Sequence, residues 1–285
     1  MRCAQCLRCY AGASVLRCSH LNRALYSKVE INMDEQDKGL DKQGFIRNIY
    51  SSKNIQPEFK AVVDAVVSEL CYRLPDQVDG IYLYGSVPRG NAIVGSSDLD
   101  VSIILTTPIS QKEEQVFNEL SAAIPKEYPE VSKLDIDPGY LNIVLEPKEK
   151  YHWQFWLKHC CCCIWGNDLS ARFSSYQPSI EIAQALNGDL LTFLEQTSFG
   201  YAGMSDENVA KVLGKKLLRA AYYFVAAKDC SWYTDLSQCV EVAKRYYPVQ
   251  SYDLELAYQY ATGRLVSKTE AIELYERLSQ NIVPS

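Results

Sequence analysis

Residues 81–104 read IYLYGSVPRGNAIVGSSDLDVSII, and the organisation of the whole chain rests on them. Ile81, Tyr82, Leu83 and Tyr84 form a short apolar run of the kind that makes a strand. The chain then turns at Gly85-Ser86, and a second apolar run comes next with Asp98 and Asp100 set into its start. Side chains two apart on a strand point to the same face, so these carboxylates stand side by side. Like charges that close raise one pKa unless something positive lies between them. Hard oxygen ligands at this spacing suit Mg²⁺. Gly85 brings no bulk to the turn, and backbone N–H groups at Gly85-Ser86, read as a helix start, can hold phosphate oxygens.

The chain has 285 residues, enough for two modest domains. Its 47% hydrophobic and 22% charged content is ordinary for a soluble protein. No apolar run approaches the roughly 20 residues that span a bilayer, so no membrane partner is expected. The net charge of −6 argues against a nucleic-acid polymer, which favours a basic surface, and is compatible with a small cationic acceptor. There are 11 Cys, four of them consecutive at 160–163, and no signal-peptide pattern. That is not a disulfide framework, and the expected location is a reducing cytoplasm.

Residues 1–32 lack strand or helix periodicity. Cys3, Cys6, Cys9, Cys18 and His20 carry metal-like spacing, but the last pair is Cys-x-His and no second Cys-x-x-Cys comes after it. Residues 14–25, SVLRCSHLNRAL, resemble the translated recombination-site leader of integron cassettes. On that reading Met33 is the start and 1–32 is a disordered or non-native leader. Residues 34–54 read as a polar linker with first turns. Pro57 opens a helix with Phe59, Val62, Val63, Val66, Val67 and Leu70 at helical spacing, ended by Pro75. Residues 111–124 read as a helix with Val116, Leu120 and Ala123 inward. Residues 131–137, VSKLDID, read as a strand stopped by Pro138-Gly139. Asp135 and Asp137 share a face of it.

Residues 151–165 are aromatic and Cys-rich and read as a helix. Four consecutive cysteines on a helix fan out by about 100° each and cannot all reach one metal. Core packing is the better reading, with His159 and Cys163 the one metal pair at i, i+4 spacing. Gly166 is expected to end this helix in the left-handed manner. From about 178 strand signals vanish. Helices are expected over 180–199, 205–228, 233–247 and 252–262, with a capping box Ser267–Glu270 opening a last one to about 278. Lys211, Lys215 and Arg219 fall at i, i+4, i+8, with Lys216 nearby, as a basic stripe.

Gly85-Ser86, Arg89-Gly90 and Ser97-Asp98-Leu99-Asp100 together resemble the signature of the polymerase-β-type nucleotidyltransferase superfamily, over roughly residues 57–145. A weaker likeness through the C-terminal half points to the aminoglycoside nucleotidyltransferases. There a Gly-x-Asp-Leu like Gly166–Leu169 recurs at the same point. The resemblance implies an α+β fold: a mixed sheet flanked by helices over 33–172, then an all-α bundle over 178–285. It implies two Mg²⁺ ions, with Asp98, Asp100 and a third carboxylate from the 131–137 strand as catalytic and metal residues. Either Asp135 or Asp137 could supply the third. Leu134-Asp135-Ile136 best fits the apolar-acid-apolar pattern, which selects Asp135 as base, ligand or both.

Nucleotide contacts would come from Gly85, Ser86, Arg89, Ser97, Lys215, Lys216 and Arg219. The implied reaction moves a nucleoside monophosphate, AMP from ATP, to a hydroxyl of a small molecule of the aminoglycoside antibiotic type. Two other readings compete with it. One is a toxin–antitoxin-type protein AMP-transferase, whose usual single minimal domain lacks the helical half expected here. The other is a non-catalytic nucleotide-binding regulator, against which the intact carboxylates count.

Overall fold

The computed structural model describes residues 37–197 and 200–283. The leader and the Cys3–His20 metal pattern lie outside the described residues. The chain enters through an extended segment with a bridge between Leu40 and Ile46, and one short turn at Ser52–Asn54. Helix α1 (Pro57–Arg73) comes next, with Pro57 at its first position, where the missing N–H is not needed. Strands β1 (Val78–Tyr84) and β2 (Leu99–Leu105) flank the motif. Helix α2 (Gln111–Glu127) opens on a capping box of Ser110 and Glu113 and carries the chain to β3 (Leu134–Tyr140). The sheet is completed by β4 (Cys162–Gly166), in the order β3-β2-β1-β4. β1 is antiparallel to both neighbours, whereas β3 is parallel to β2, the pairing that needs the α2 crossover.

The pleat sorts the residues. Ile81, Leu83, Leu99, Val101, Ile103 and Leu134 face α1 and α2 and pack on Phe59, Val62, Val66, Leu70, Val116 and Leu120. Tyr82 and Ile104 face the other way, against Val144, Leu157, Cys161 and Leu169. Asp100, two from Ser102 and four from Ile104, belongs to this second face.

Several expected elements are corrected here. β3 does not stop at Pro138-Gly139. It begins at Leu134 and runs through both to Tyr140. It is an edge strand, and an edge strand tolerates the missing proline N–H. Residues 151–165 are not one helix. After α3 (Leu141–Val144), a π-helical turn at Lys150–Gln154 leads into α4 (Phe155–His159), which ends there. Asn48 Nδ2 donates to the carbonyls of Lys158 and Cys161, at 3.0 and 2.8 Å, at the point where the helix stops. The cysteines then turn into β4, which pairs with the free edge of the buried strand β1, so that its polar backbone finds partners. Gly166, at φ 79°, therefore ends a strand, not a helix. His159 and Cys163 share no helix face. His159 Nε2 accepts from Tyr176 N at 2.9 Å, and burial lowers its pKa to about 4.

Beyond residue 178 the helices are α5 (Ile180–Asn187), α6 (Phe193–Thr197), α7 (Asp206–Asp229), α8 (Leu236–Tyr246), α9 (Ser251–Ala261) and α10 (Lys268–Ile282). The expected 180–199 helix is broken at Gly188, and the 233–247 helix begins three residues late, with Asp235 as its cap. α7 is the axis of this half. Its Val209, Leu213, Leu217, Leu218 and Tyr222 are all buried, and α5, α8, α9 and α10 pack on it. Ile46 of the entering segment joins the same core, and Lys38 O accepts from Trp232 N at 2.7 Å.

α7 and α9 approach most closely at Gly214, where an added Cβ would lie 2.5 Å from Ala257 O. Gly214→Ala gains up to about 1 kcal/mol of helix propensity. It also forces backbone apart in a packed core, at a cost of about 1–3 kcal/mol. The expected net result is a lower urea midpoint at unchanged slope; an equal or higher midpoint would show that the two helices are not in contact there.

Candidate active site

The site is built on the sheet face that turns away from α1 and α2. In the β2–β3 register Asp100 lies opposite Asp135, and Ser102 opposite Asp137. Across β1, Tyr84 lies opposite Asp100. Tyr84, Asp100 and Asp135 thus form one row across three strands, with Asp98 before it and Asp137 one pleat beyond. Asp98 precedes β2 and is held by the Ser132 hydroxyl, which donates to Oδ1 at 2.6 Å. Asp135 pairs with Lys133, both side chains being partly in solvent, where such a pair contributes about 1 kcal/mol or less. The Tyr84 hydroxyl donates to Asp137 Oδ2. Burial first, and then the Asp137 charge, push the Tyr84 phenol far above its ordinary range, so it remains a donor.

Asp100 carries the electrostatic stress. Burial, together with the charges of Asp98, Asp135 and Asp137, pushes its pKa up to about 7, with Lys133 a minor opposing influence. Gly85 at φ 77° lets the backbone come this close, since a Cβ there would lie 1.9 Å from Asp100 Oδ2. After Gly85, Ser86 opens a single 3₁₀ turn, Val87–Arg89, and its hydroxyl makes no capping bond. The helix start expected here is thus one turn long, and any anion would meet backbone N–H groups more than a helix dipole.

The other expected nucleotide residues divide. Ser97 Oγ accepts from Ile93 N at 2.8 Å and shapes the loop before Asp98. Arg89 Nε donates to Gly85 O at 2.9 Å, and Nη1 reaches Thr234 at 3.2 Å and Asp235 at 3.4 Å, tying the turn to the start of α8. On α7 the basic stripe does not form one surface. Lys211 pairs with Glu207 and Lys216 with Asp189, each at 2.6 Å, while Lys215 is exposed. Arg219 turns inward to the Tyr223 hydroxyl at 3.4 Å. Burial pushes the Tyr50 phenol up, while the charges of Arg89 and Arg219 pull it down. Sequence reasoning missed Tyr50, Tyr84 and Ser132. Tyr84 was accessible, because it lies two residues before Ser86 on the strand that must pair with the Asp-x-Asp strand.

Among the described residues, no three acidic, histidine or cysteine side chains already converge as a closed metal cage. Mg²⁺ does not need one, because it takes one or two carboxylates and completes its shell with water and substrate phosphates. The donor set fits that ion: oxygen ligands only, with Asp100 crowded by like charge and no Cβ at Gly85 to fill the space.

The raised pKa fixes a sign. An Asp at about 7 folded and about 3.8 unfolded favours folding below the lower value, and that contribution is lost as pH rises through the upper. With a chelator present, Asp100→Asn should therefore gain thermal stability over the parent between pH 5 and 8, bounded by about 4 kcal/mol at roughly 1.36 kcal/mol per unit. Parallel melting curves across that range would refute the crowding.

No protein-family model matches the chain, and a search of curated proteins finds no match. Among solved structures, a spectinomycin adenyltransferase from Enterococcus faecialis, determined with ATP and spectinomycin, is similar in fold. The match has a TM-score of 0.50 at 13% identity and covers 76% of this chain and 98% of that one. The α+β fold expected from the motif, a mixed four-stranded sheet followed by helices, is the fold found, and it is similar to that of this adenyltransferase.

Proposed function

We propose that this protein is a Mg²⁺-dependent nucleotidyltransferase that moves AMP from ATP to a hydroxyl of a small molecule of the aminoglycoside type. The single observation that carries the reading is the carboxylate pair of Asp100 and Asp135 on adjacent strands, with Asp98 just before β2, beside the Gly85-Ser86 turn. The likeness to an adenyltransferase determined with ATP and spectinomycin supports it. The division into a catalytic domain over 33–172 and a helical domain over 178–285 belongs to the same proposal, as does a cytoplasmic location. The described cysteines are all free thiols, and among the described residues no helix is long and apolar enough to cross a membrane.

Each residue has its own part in the reaction. The backbone at Gly85 and the Ser86 hydroxyl hold phosphate oxygens of the nucleotide. Arg89 and Arg219 bring positive charge to the flank of the turn, and the exposed Lys215 adds to it from α7. Asp98 and Asp100 would hold Mg²⁺, with Asp135 available to a second ion, and that metal supplies charge neutralisation for the triphosphate and the departing pyrophosphate. Asp135 takes the proton of the acceptor hydroxyl. The hydroxyl oxygen forms its bond to the α-phosphorus while the bond from that phosphorus to the bridging oxygen breaks, and pyrophosphate leaves. The row holds base and substrate in fixed relation, and small misplacements there cost heavily in rate.

Incubation with labelled ATP, Mg²⁺ and an aminoglycoside panel should give pyrophosphate and a product heavier by one AMP. Asp135→Asn should lower kcat by at least about a hundredfold with ATP affinity retained, the lower end expected for loss of a general base. No AMP adduct with any hydroxylated acceptor would end the reading, and near-normal turnover by the variant would remove Asp135 from it.

A further inference from the structure

We propose that Tyr84 is a positioning residue: its hydroxyl holds Asp137 back, so that Asp135 and not Asp137 joins Asp98 and Asp100. The roles of the acids rest on the nucleotidyltransferase reading; the restraint on Asp137 does not.

Strand β3 offers two acids to one face, two residues and about 7 Å apart. Strand geometry does not choose between them, but their partners do. Asp135 is paired with Lys133, with both side chains partly in solvent. A pair of that kind is weak and screened, so it gives way when a competing cation arrives. Asp137 is held differently, by the Tyr84 hydroxyl, which donates to its Oδ2.

That bond crosses the sheet. Tyr84 ends β1 opposite Asp100, whereas Asp137 stands on β3 opposite Ser102, and β2 runs between the two strands. At about 4.8 Å per strand, β1 and β3 are about 10 Å apart. To reach Asp137 the phenol must lie across β2, from the row of Asp100 to the row of Ser102.

Asp137 is itself exposed, and a bond made in water by a freely rotating donor would count for little. The Tyr84 donor does not rotate freely. The Trp156 indole stands edge-on to its ring, with centroids 5.0 Å apart. Trp156 Nε1 in turn donates at 3.1 Å to Oγ of Ser102, a fully buried residue of β2. The brace thus runs from β2 through α4 back to β1, and it presents the hydroxyl to β3 with its rotamer already fixed. On the acceptor side, Pro138 biases the Asp137 backbone towards an extended conformation.

The two acids are therefore unequal. Asp135 lies opposite Asp100 and has a partner it can exchange. Asp137, restrained one pleat away, adds its charge to the site without taking part in the reaction. Without the Tyr84 hydroxyl, Asp137 is free to turn along the shared face towards Asp135 and to stand in for it.

The test is a double-mutant cycle in the full chain between Tyr84→Phe, which removes the hydroxyl and keeps the ring against Trp156, and Asp135→Asn. One readout is Mn²⁺ affinity with α,β-methylene ATP present, from the electron paramagnetic resonance of free Mn²⁺. The other is kcat with ATP and the aminoglycoside that reacts best. With Tyr84 intact, Asp135→Asn should weaken Mn²⁺ at least about tenfold and lower kcat at least about a hundredfold. Asp137→Asn should change either by less than about threefold. In the Tyr84→Phe background, Asp135→Asn should weaken Mn²⁺ by no more than about threefold and lower kcat by no more than about tenfold. Adding Asp137→Asn to that pair should bring back the full losses, which a merely structural role for Tyr84 would not produce. Circular dichroism checks that each variant folds. Equal losses from Asp135→Asn with and without the Tyr84 hydroxyl would overturn the proposal. So would a rescue that survives Asp137→Asn, or a larger loss from Asp137→Asn than from Asp135→Asn when Tyr84 is intact. Rescue of Mn²⁺ binding without AMP transfer to any acceptor keeps Tyr84 in this role and removes the proposed reaction. AMP transfer without the rescue does the reverse, and a parent that binds no Mn²⁺ overturns both.

Discussion

The parallel register between β2 and β3 is the constraint on which the site depends. By placing Asp100 opposite Asp135 it puts carboxylates on neighbouring strands, within reach of Asp98 and Asp137. Such a pairing costs free energy in the empty protein, because like charges held together in a partly desolvated place cannot all ionise freely. It persists because the sheet beneath it is fixed by burial: Leu99, Val101, Ile103 and Leu134 lock the opposite face against α1 and α2. A shift by one residue would send the acids into that apolar core and the leucines to solvent. The core thus sets the spacing of the carboxylates, and their mutual repulsion becomes affinity for whatever cation enters. An electrostatically costly arrangement held in place by surrounding structure is a usual mark of a functional site.

The turn and the helical half are tied to this row by few contacts. Gly85 is excluded from being any other residue by the Asp100 carboxylate itself. Arg89 grips the Gly85 carbonyl and extends to Thr234 and Asp235, so the Gly85-Ser86 turn and the start of α8 share one side chain. The entering segment adds Ile46 to the helical core. The α7 helix bears both the inward Arg219 and the exposed Lys215, on a shaft rigidified by its own buried face.

Much of this was legible in the residues, and the failures have specific causes. Two-residue periodicity placed Asp98 and Asp100 on one face, and helical periodicity drew α1, α2, α7 and α10 nearly to their ends. Pro138 misleads because a proline ordinarily stops a strand, while edge position, which makes it tolerable, is a property of the whole sheet. The cysteine run misled because Cys has little preference of its own. Asn48, over a hundred residues away in sequence, helps stop α4, and the open edge of β1 recruits residues 162–166 as a strand. The basic stripe on α7 was correct in spacing. Spacing cannot reveal that Glu207 and Asp189 engage two of its members or that Arg219 points inward. Tyr84 and Ser132 became visible only once strand pairing joined stretches distant in sequence.

The central claim is that Asp98 and Asp100 hold a divalent ion against a triphosphate seated on the Gly85-Ser86 turn. The most direct measurement is a crystal structure with Mn²⁺ and a non-hydrolysable α,β-methylene ATP analogue, with manganese located by its anomalous scattering. The expected result is an anomalous peak bonded to oxygens of both Asp98 and Asp100, with phosphate oxygens of the analogue on the same ion and within hydrogen-bond reach of Ser86. A nucleotide bound elsewhere, or manganese that leaves the two carboxylates untouched, would contradict the account.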